Sequence, residues 1–217
     1  MKILTSVWMV LLLALVLLGV RVNNPDSVKI LKYKTWDYFQ VLHPRDKVSD
    51  SVTVVNITEA DLKKYGQWPW PRHIMAILHA KIVDSGAIIV NHNILYAEPD
   101  RMSGVEYLKS MPMDNELREQ LEQKLLDTDG IFAVALNQSN SVLMMSVKNE
   151  VDNILPSTTQ IIKKGNPSQW VYEFGGIVAP TPKLSATAKG LGVNVTSPEP
   201  DAVVRKMPMI ISINGKL

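Results

Sequence analysis

The segment from residue 52 to residue 100 constrains the fold more than any other, because strand and helix patterns alternate there around a rigid aromatic turn. It opens with an almost continuous run of β-branched residues at 52–57, typical of a strand covered on both faces in a parallel sheet. Two helical patterns follow, and an apolar run at 87–95 predicts a second strand. A strand, crossover and strand unit of this kind is right-handed with parallel strands. The predicted fold class is therefore α/β, a single domain with a mostly parallel central sheet flanked by helices.

Local signals place the two helices of this segment. Thr58 stands three residues before Asp61, which is the spacing of a capping box at a helix start. Pro71 suits the first turn of the next helix, because its fixed backbone angle is already helical there. The apolar residues of that helix fall on one stripe: Ile74, Ile77, Leu78 and Ile82.

Later elements are predicted from shorter patterns. Leucine spacing predicts a helix over 115–127. Apolar runs at 131–136 and 142–147 predict two strands joined as a hairpin by the turn-forming residues between them. The stretch 149–170 is expected to be irregular. A short helix over 182–189 and late strands beginning near 191 and 203 complete the prediction.

The amino-terminal residues predict a membrane anchor. Residues 3–20 carry no charge and lie between Lys2 and Arg21, a length just sufficient for a transmembrane helix. One alternative is a cleaved signal peptide, although residues 17–25 contain no small-residue cleavage site. The other alternative is a buried core helix.

The predicted organisation follows from this anchor. It has a cytoplasmic tail at 1–2, a transmembrane helix at 3–21 and an exported domain at 22–217 in the periplasm or extracellular space. Helical spacing at 28–42 predicts a helix that leaves the membrane and lays an aromatic face on the domain. The same face could supply the symmetric interface of a homodimer. The chain also stops in a predicted strand and turn, which suggests a fragment of a longer protein.

Composition and motifs exclude several classes of function. A net charge of +2 with interspersed acids gives no electrostatic footprint for nucleic acid. With no cysteine, the chain cannot form disulfides, thiolate zinc sites or a thiol nucleophile. The four histidines show no metal-ligand spacing: His43, His73, His79 and His92. No phosphate-binding glycine loop or nucleophile elbow is present, so we expect no catalytic residue, metal or cofactor.

Several side chains are candidates for binding a small molecule or an ion. Trp68 and Trp70 could form an aromatic wall for a ligand, or could plug the end of a sheet. Arg72, in the first turn of its helix, could contact a ligand or pair with Glu98 or Asp100. Together with Glu59, these two acids lie at the carboxyl ends of the predicted strands, where open α/β sheets bind ligands. Solvated helix caps are the alternative for all three acids.

The order of these motifs resembles one family. The segment VTVVNITEADLKKYGQWPWPRHIMAILHAKIVDSGA and the following NHNILYAEPD are similar to the second type of CHASE domain, as are the later APTPKLSATAKGLGVNV and EPDAVVRKMPM. The resemblance covers residues 24–217. It implies an amino-terminal anchor and an exported α/β sensor, followed by further transmembrane helices and a cytoplasmic output domain.

Departures from the family pattern concern acidic positions. Thr58, Asn91 and Asn93 stand where such sequences usually place acidic residues. Asp201–Ala202 replaces an acidic residue followed by glycine, while Arg205 is retained. Asn91, Asn93 and Arg205 therefore join the candidate ligand-binding residues. A cation or polar ligand held by carboxylates in relatives should bind here more weakly or differently.

Three functions follow as hypotheses. The first is an extracytoplasmic sensory domain that regulates an attached adenylate or guanylate cyclase or a protein kinase through a conformational change. The second is a stand-alone, membrane-anchored binding or assembly domain. The third is a membrane-anchored hydrolase that uses Glu59, Glu98 or Asp100 as acid or base, which requires a carboxylate with a raised pKa in a cleft.

Overall fold

The computed structural model describes residues 7–44, 46, 51–151, 164–196 and 200–216. The described chain divides into two units. The first contains the residues up to 55 together with 200–206, and the second contains residues 56–196 together with 207–216. The first unit holds the two longest helices, and the second holds the β-sheets.

Helices α1 and α2 dominate the first unit. Helix α1 spans Val7–Asn23 and helix α2 spans Asp26–Leu42. The two axes meet at an angle of 81° across a two-residue break. The break follows from Pro25, which disfavours the helical conformation in the residue before it. Asn24 accordingly adopts a φ of 41°, a conformation that asparagine tolerates better than most residues.

The transmembrane part of the prediction is not confirmed. Within the part of the chain that the structure describes, no single helix is both long and apolar enough to cross a membrane. Only α1 and α2 taken together, as a bent pair, reach the required length and composition. Residues 3–6 of the predicted anchor lie outside the described residues.

Helix α2 agrees with the predicted helix over 28–42, while the packing of its aromatic face on the domain stays a prediction, because α2 and the sheets belong to different units. No residue of α2 is buried. Trp36, Tyr38 and Phe39 are all more than half exposed. The spacing identified the helix correctly, but it could not show whether any part of the chain would cover the aromatic side chains.

The second unit is built on strand β2, which has neighbours on both edges. Strands β1, β2, β4 and β5 span Val90–His92, Ser141–Lys148, Gly176–Val178 and Gly190–Val193. Strands β1 and β5 pair with β2 in parallel, and β4 pairs with it antiparallel. Strands β3 and β6, at Glu173–Phe174 and Ser212–Ile213, form a separate parallel pair.

The described part of the second unit also contains six α-helices. Helices α3 to α8 span Glu59–Tyr65, Arg72–Asp84, Gly104–Ser110, Asn115–Glu122, Thr128–Asn137 and Pro182–Ser185. Helices α4 and α7 pack against each other, and their apolar faces meet the sheet in one core. Its buried members include Met75, Tyr96, Phe132, Leu136 and Leu143. Fully burying a side chain of this size contributes about 1.5–3 kcal/mol.

The sheet is mixed, so the expectation of a mostly parallel sheet is wrong. Strand β4 runs antiparallel to β2 and pairs with its last residues, Ser146 to Lys148. Burial explains this pairing. The first half of β2 alternates between buried and half-buried positions, whereas its last three residues are only half-buried. Antiparallel strands tolerate such one-sided cover better than parallel strands do.

The strand predicted at 52–57 is also absent. These residues are not assigned to any strand, and Val52, Val54 and Val55 are exposed. The predicted strand at 87–95 is reduced to Val90–His92, with Ile88 and Ile89 exposed. β-branched residues favour an extended backbone, but a strand also needs a pairing partner, and composition alone does not supply one.

The predicted hairpin is wrong because its first half is a helix. Residues 131–136 lie in α7, which begins after Asp127. The Asp127 side chain accepts a hydrogen bond from the backbone N–H of Gly130 at 2.9 Å, as an N-cap does. A short apolar run fits a buried helix as well as a strand. Here Phe132, Ala133 and Leu136 face the core.

The remaining predictions agree in part with the structure. Helix α6 ends five residues earlier than predicted, and α8 is shorter than the predicted helix at 182–189. Strand β5 lies where the strand near 191 was expected. From 203 onwards only β6 forms. Most of the stretch 149–170 lies outside the described residues.

Candidate functional site

Arg72 starts helix α4 and is held there by a carboxylate from the loop after β1. Its backbone N–H donates a 2.7 Å hydrogen bond to Asp100 Oδ2. Pro71, the residue before the helix, provides no side-chain cap. Asp100 therefore satisfies one of the free N–H groups at the start of α4 and places a negative charge at the positive end of the helix dipole.

The guanidinium of Arg72 is surrounded by three different groups. Its Nε lies 3.5 Å from Asp129 Oδ1, and its Nη2 donates a 3.2 Å hydrogen bond to the backbone carbonyl of Glu98. Its Cζ lies 4.4 Å from the centre of the Tyr96 ring. The side chains of Arg72 and Asp129 are each only 10% exposed. A cation enclosed in this way depends on its neighbours rather than on water for stabilisation.

The two carboxylates are also connected to each other. Asp129 Oδ2 accepts a 2.9 Å hydrogen bond from the backbone N–H of Asp100. Thr128 Oγ1 donates to Asp100 Oδ2 at 2.6 Å, and the N–H of Met102 donates to Asp100 Oδ1 at 2.9 Å. We call Arg72, Tyr96, Asp100, Thr128 and Asp129 the Arg72 cluster. It connects α4, the loop after β1 and the start of α7.

The two acids differ in their tendency to ionise. Burial alone would raise the pKa of Asp100, but hydrogen bonds from Thr128 and from the N–H groups of Arg72 and Met102 outweigh it and lower the pKa. Burial dominates at Asp129 and raises its pKa, despite the N–H of Asp100 and the charge of Arg72. Asp100 is therefore held as an anion, whereas Asp129 takes up a proton more readily than a free aspartate.

A second buried polar group adjoins this cluster. His79 Nε2 lies 2.7 Å from Ser139 Oγ, and His79 Nδ1 lies 2.9 Å from His92 Nε2. His92 Nδ1 lies 3.2 Å from the Tyr96 hydroxyl. A chain of hydrogen bonds therefore runs from Ser139 through both imidazoles to Tyr96, whose ring lies against Arg72.

One direction of this chain gives every donor a partner. The Tyr96 hydroxyl donates to His92, His92 donates to His79, and His79 donates to Ser139. The Ser139 hydroxyl then donates to the carbonyl of Leu136 at 3.4 Å. This assignment follows from the hydrogen-bonding network, since each neutral imidazole has one donor and one acceptor.

Both imidazoles are neutral because of burial. Burial lowers the pKa of His79. It also lowers the pKa of His92 to about 4, with a further contribution from the neighbouring His79. The phenol of Tyr96 is buried as well, which raises its pKa despite the charge of Arg72. The group thus contains no charge at neutral pH but would acquire one in acid.

The two tryptophans have different environments. Trp70 is buried, and its Nε1 donates a 2.8 Å hydrogen bond to the carbonyl of Gly66. It packs in the core with Met75 and Tyr96. Trp68 is 39% exposed, and its ring centre lies 5.9 Å from that of Trp70 in an edge-on arrangement. Trp70 thus acts as a core residue, while only Trp68 offers a ring face to solvent.

The other candidate residues of the second unit are exposed. Glu59 lies in the first turn of α3, and Asn91 lies in β1. Within the described ranges, no hydrogen bond or ion pair is found between either residue and the Arg72 cluster. Asn93 Oδ1 accepts a 2.8 Å hydrogen bond from Asn194. The Glu98 carboxylate pairs with Arg101 at 2.7 Å rather than with Arg72.

An open recess lies directly beside the Arg72 cluster. It has a volume of about 340 Å³ and is lined by Glu98, Pro99, Arg101, Glu106, Tyr107 and Ser110. Its charges are already paired with one another or with neighbours, Glu98 with Arg101 and Glu106 with Lys109. Exposed pairs of this kind contribute little stability and can be exchanged for a ligand at small cost. The size falls at the lower end of the range for small-molecule sites.

Arg205 belongs to the first unit, where it has its own partners. Its guanidinium donates to both carboxylate oxygens of Asp37, at 2.8 and 2.6 Å, and to both of Asp201, at 2.8 and 2.6 Å. Its Cζ lies 4.9 Å from the centre of the Tyr33 ring. The hydrogen bond from Arg205 lowers the pKa of Asp37, and it also lowers the pKa of Asp201 to about 2. Two bidentate pairs of this kind hold the guanidinium in a single orientation.

Ala202, next to this contact, has a conformation that glycine adopts more easily. Its φ is 62°, at a position where the resembling family has glycine. A left-handed backbone costs a residue with a Cβ roughly 1–2 kcal/mol. We expect Ala202→Gly to raise the free energy of unfolding by about 1 kcal/mol, measured by chemical denaturation of the full chain in detergent micelles.

The matched control for this prediction is Ala186→Gly. Ala186 is exposed and has an ordinary helical φ of −71°. There, glycine should lower the free energy of unfolding by about 0.5–1 kcal/mol, because it only adds flexibility. The strain at Ala202 would be disproved if both substitutions shifted stability in the same direction.

Sequence reasoning grouped Arg72 with Glu98 and Asp100, and the structure brings these three together. It missed Asp129, Thr128, Tyr96 and the histidine pair. Asp129 could have been noticed as an acid in the first turn of a helix, but that helix was read as a strand. No local signal indicates that His79 and His92, 13 residues apart, contact each other.

The described residues offer no metal site, because no three histidine or acidic side chains lie close enough together to hold an ion. No curated protein and no solved structure matches this chain. A family model does match it, the CHASE2 domain, over residues 9–215. CHASE2 domains are extracellular sensory domains and are not catalytic. Since the match covers nearly the whole sequence, this chain belongs to the CHASE2 domain family.

Proposed function

We propose that this chain is the extracytoplasmic sensory domain of a bacterial receptor that regulates an attached cytoplasmic cyclase or protein kinase. The observation that carries the proposal is the CHASE2 match over residues 9–215. The exported location and the attached output domain are parts of the proposal. They are supported by the apolar amino terminus and by the sensory character of the family.

The anchor is proposed at residues 3–21. None of the residues of α1 is buried, although its sequence VWMVLLLALVLLGV is almost wholly apolar. A long exposed apolar surface of this kind marks a site of interaction with a membrane or a partner. A bilayer would cover all sides of α1 at once, which fits a helix that is apolar around its whole circumference.

The proposed ligand site is the open recess beside the Arg72 cluster. Glu98, Pro99 and Arg101 line the recess, and Glu98 and Asp100 of the same segment contact Arg72. The carbonyl of Glu98 accepts from its guanidinium, and the carboxylate of Asp100 accepts from its backbone N–H. A ligand that displaced Arg101 from Glu98 would therefore move the segment that holds the start of α4. The shift in conformation is limited by the difference in ligand affinity between the two states.

The hydrolase hypothesis has less support from the geometry. A general acid needs a raised pKa in a cleft. Glu98 is exposed and paired with Arg101. Asp100 is buried, and its hydrogen bonds lower its pKa. Of the acids near the recess, Asp129 has a raised pKa, but it lies buried against Arg72 and away from solvent.

The test is a thermal-shift screen of the full chain in detergent micelles against small charged metabolites and ions. A ligand at about 100 times its Kd stabilises the folded state by about 2.7 kcal/mol, which raises Tm by roughly 5–10 °C for a chain of this size. Arg101→Gln and Tyr107→Ala should abolish the shift.

Lys124→Gln is the matched control, since Lys124 is exposed and does not line the recess. It should leave the shift unchanged. A ligand that stabilises wild type and both recess variants equally would place the binding site elsewhere. If no metabolite or ion shifts Tm, the proposed sensing of small molecules at this recess is wrong.

A further inference from the structure

Four of the six large apolar side chains of α2 that are exposed form one row, while Trp36 and Val41 lie off it. Leu31, Tyr38, Phe39 and Leu42 are spaced at 0, 7, 8 and 11 residues, so they lie on the same face of the helix. All four are between 49% and 66% exposed. Thr35 lies on the same face, and its hydroxyl donates to the carbonyl of Leu31 at 2.8 Å, so it leaves no unpaired donor there.

The opposite face of α2 is occupied by the Arg205 contact. Tyr33 and Asp37 both contact Arg205. Tyr33 lies two residues after Leu31, and Asp37 lies two residues before Phe39. Two residues correspond to a rotation of about 200° around the helix axis, so both side chains point away from the row. Lys29 lies on the same side as this contact, whereas the apolar row carries no charged group. Within the described residues of the first unit, one face of α2 therefore binds residues 200–206, and the opposite face carries the exposed apolar row.

The direction of α2 determines what this face can meet. Its axis lies at 81° to that of α1. If α1 crosses a bilayer close to the membrane normal, as proposed above, α2 must run nearly parallel to the membrane surface. It also begins only two residues after α1 ends, so it starts at the level of the lipid headgroups.

The charges of α2 fit an anionic surface. The helix carries Lys29, Lys32 and Lys34. Lys29 pairs with Asp26, and Asp37 is taken by Arg205. Lys32, whose ammonium donates a 2.9 Å hydrogen bond to the neutral Asn24 side chain, and Lys34 flank the apolar row on its two sides. Lysines beside an apolar face that contains aromatic residues are typical of helices that lie in the membrane interface.

We propose that α2 lies on the outer surface of a bilayer containing anionic phospholipid, with Leu31, Tyr38, Phe39 and Leu42 inserted at the boundary between headgroups and acyl chains. This inference rests on the proposed anchor. In this proposal the apolar row contacts lipid, and not the second copy of the chain that the homodimer hypothesis would place there. The Arg205 contact then joins a membrane-bound helix to residues 200–206 near the end of the sensory domain.

The test uses single nitroxide labels on the full chain, which contains no natural cysteine. The chain is reconstituted in vesicles of phosphatidylethanolamine and phosphatidylglycerol. Labels at Tyr38→Cys and Leu42→Cys report on the apolar row. A label at Val41→Cys is the matched control, because Val41 is apolar and 77% exposed but lies off the row. Dissolved oxygen reports exposure to lipid, and a water-soluble nickel complex reports exposure to water.

We expect the nickel complex to reach Val41→Cys but not the two labels on the row. A label at Leu15→Cys in α1 separates the two proposals. If nickel reaches the row while Leu15→Cys stays shielded, the surface helix is wrong and the anchor stands. If nickel also reaches Leu15→Cys, the anchor itself is wrong.

A second copy of the chain would give a different result. The Tyr38→Cys spectrum would then be broadened by a neighbouring label, and mixing with excess unlabelled chain would sharpen it. That outcome would overturn the membrane assignment.

Lipid charge gives a further check, since each lysine near an anionic surface contributes about fivefold to binding. Lys32→Gln and Lys34→Gln should each lower the equilibrium constant for docking by about this factor. Phosphatidylcholine in place of phosphatidylglycerol removes both contributions and should lower it by about 25-fold. Equal docking in all these cases would disprove the anionic requirement.

Discussion

Replacing Asp129 with alanine should lower the free energy of unfolding of the second unit by about 3–5 kcal/mol. Removing one partner of a buried ion pair leaves the other charge without compensation, and losses of this size are typical. Arg72 would keep the carbonyl of Glu98 and the ring of Tyr96, neither of which carries a negative charge. The Asp100 carboxylate would compensate only part of the Arg72 charge, because it bonds to the backbone N–H and not to the guanidinium. The backbone N–H of Asp100 would also lose its acceptor. Urea denaturation of the full chain, followed by circular dichroism, measures the change.

The matched control is Arg101→Ala, which breaks the exposed pair with Glu98. The side chains of Arg101 and Glu98 are 82% and 67% exposed, whereas those of Arg72 and Asp129 are each 10% exposed. An exposed pair contributes about 0–1 kcal/mol. Replacing both buried partners, as in Arg72→Met with Asp129→Leu, should recover much of the lost stability, because no unpaired charge remains. If Asp129→Ala cost no more than Arg101→Ala, the Arg72 charge would not depend on Asp129.

Acidification should destabilise the second unit as the pH falls from about 6.5 towards 4. Burial lowers the pKa of His92 from 6.5 to about 4, so in this window the unfolded chain binds a proton that the folded chain does not. The stabilisation is complete above the unfolded pKa and is lost as the pH falls to the folded pKa. Its size is on the order of 3 kcal/mol. His79, whose pKa burial also lowers, acts in the same direction. Asp129, whose pKa is raised, offsets part of the loss.

Urea denaturation at a series of pH values checks this expectation. The double variant His79→Leu with His92→Leu should lose most of the pH dependence above pH 4. His43→Gln, at an exposed histidine, should keep it. Nuclear magnetic resonance of the imidazole protons gives an independent measurement in the wild type. Ordinary titration of both His79 and His92 would contradict the prediction even if the double variant failed to fold.

Sequence reasoning succeeded where a few neighbouring residues determine the backbone. The Asp61 carboxylate accepts from both the N–H and the hydroxyl of Thr58, at 2.9 and 2.6 Å, as the capping-box spacing predicted. Pro71 directly precedes the first residue of α4. Signals of this kind act within one helical turn, so the tertiary structure does not need to be known to use them.

Sequence reasoning failed where contacts with a distant segment of the chain determine the local structure. Residues 52–57 have the composition of a strand, but a strand also needs a pairing partner, which composition does not supply, and no strand is assigned there. Residues 131–136 fit a strand and a buried helix equally well, and the N-cap at Asp127 with packing against α4 selects the helix. That error also hid Asp129, because the start of α7 was not recognised.

The candidate site shows the same division. Arg72, Glu98 and Asp100 could be grouped from the sequence, because each is a polar residue near the end of a predicted helix or strand. The partner of the guanidinium could not be chosen, because Asp129 comes from a helix 57 residues further along the chain. The contact between His79 and His92 likewise depends on how α4 packs against the sheet.

By itself, the sequence determined the family, the α/β class, the starts of helices α3 and α4 and the apolar character of the amino terminus, because each of these is a pattern among neighbouring residues. Only the tertiary structure decided which strands pair, which acid neutralises Arg72 and which face of α2 holds Arg205. Those outcomes depend on burial and on contacts between distant segments, and a pattern among neighbouring residues does not determine the free energies of such contacts.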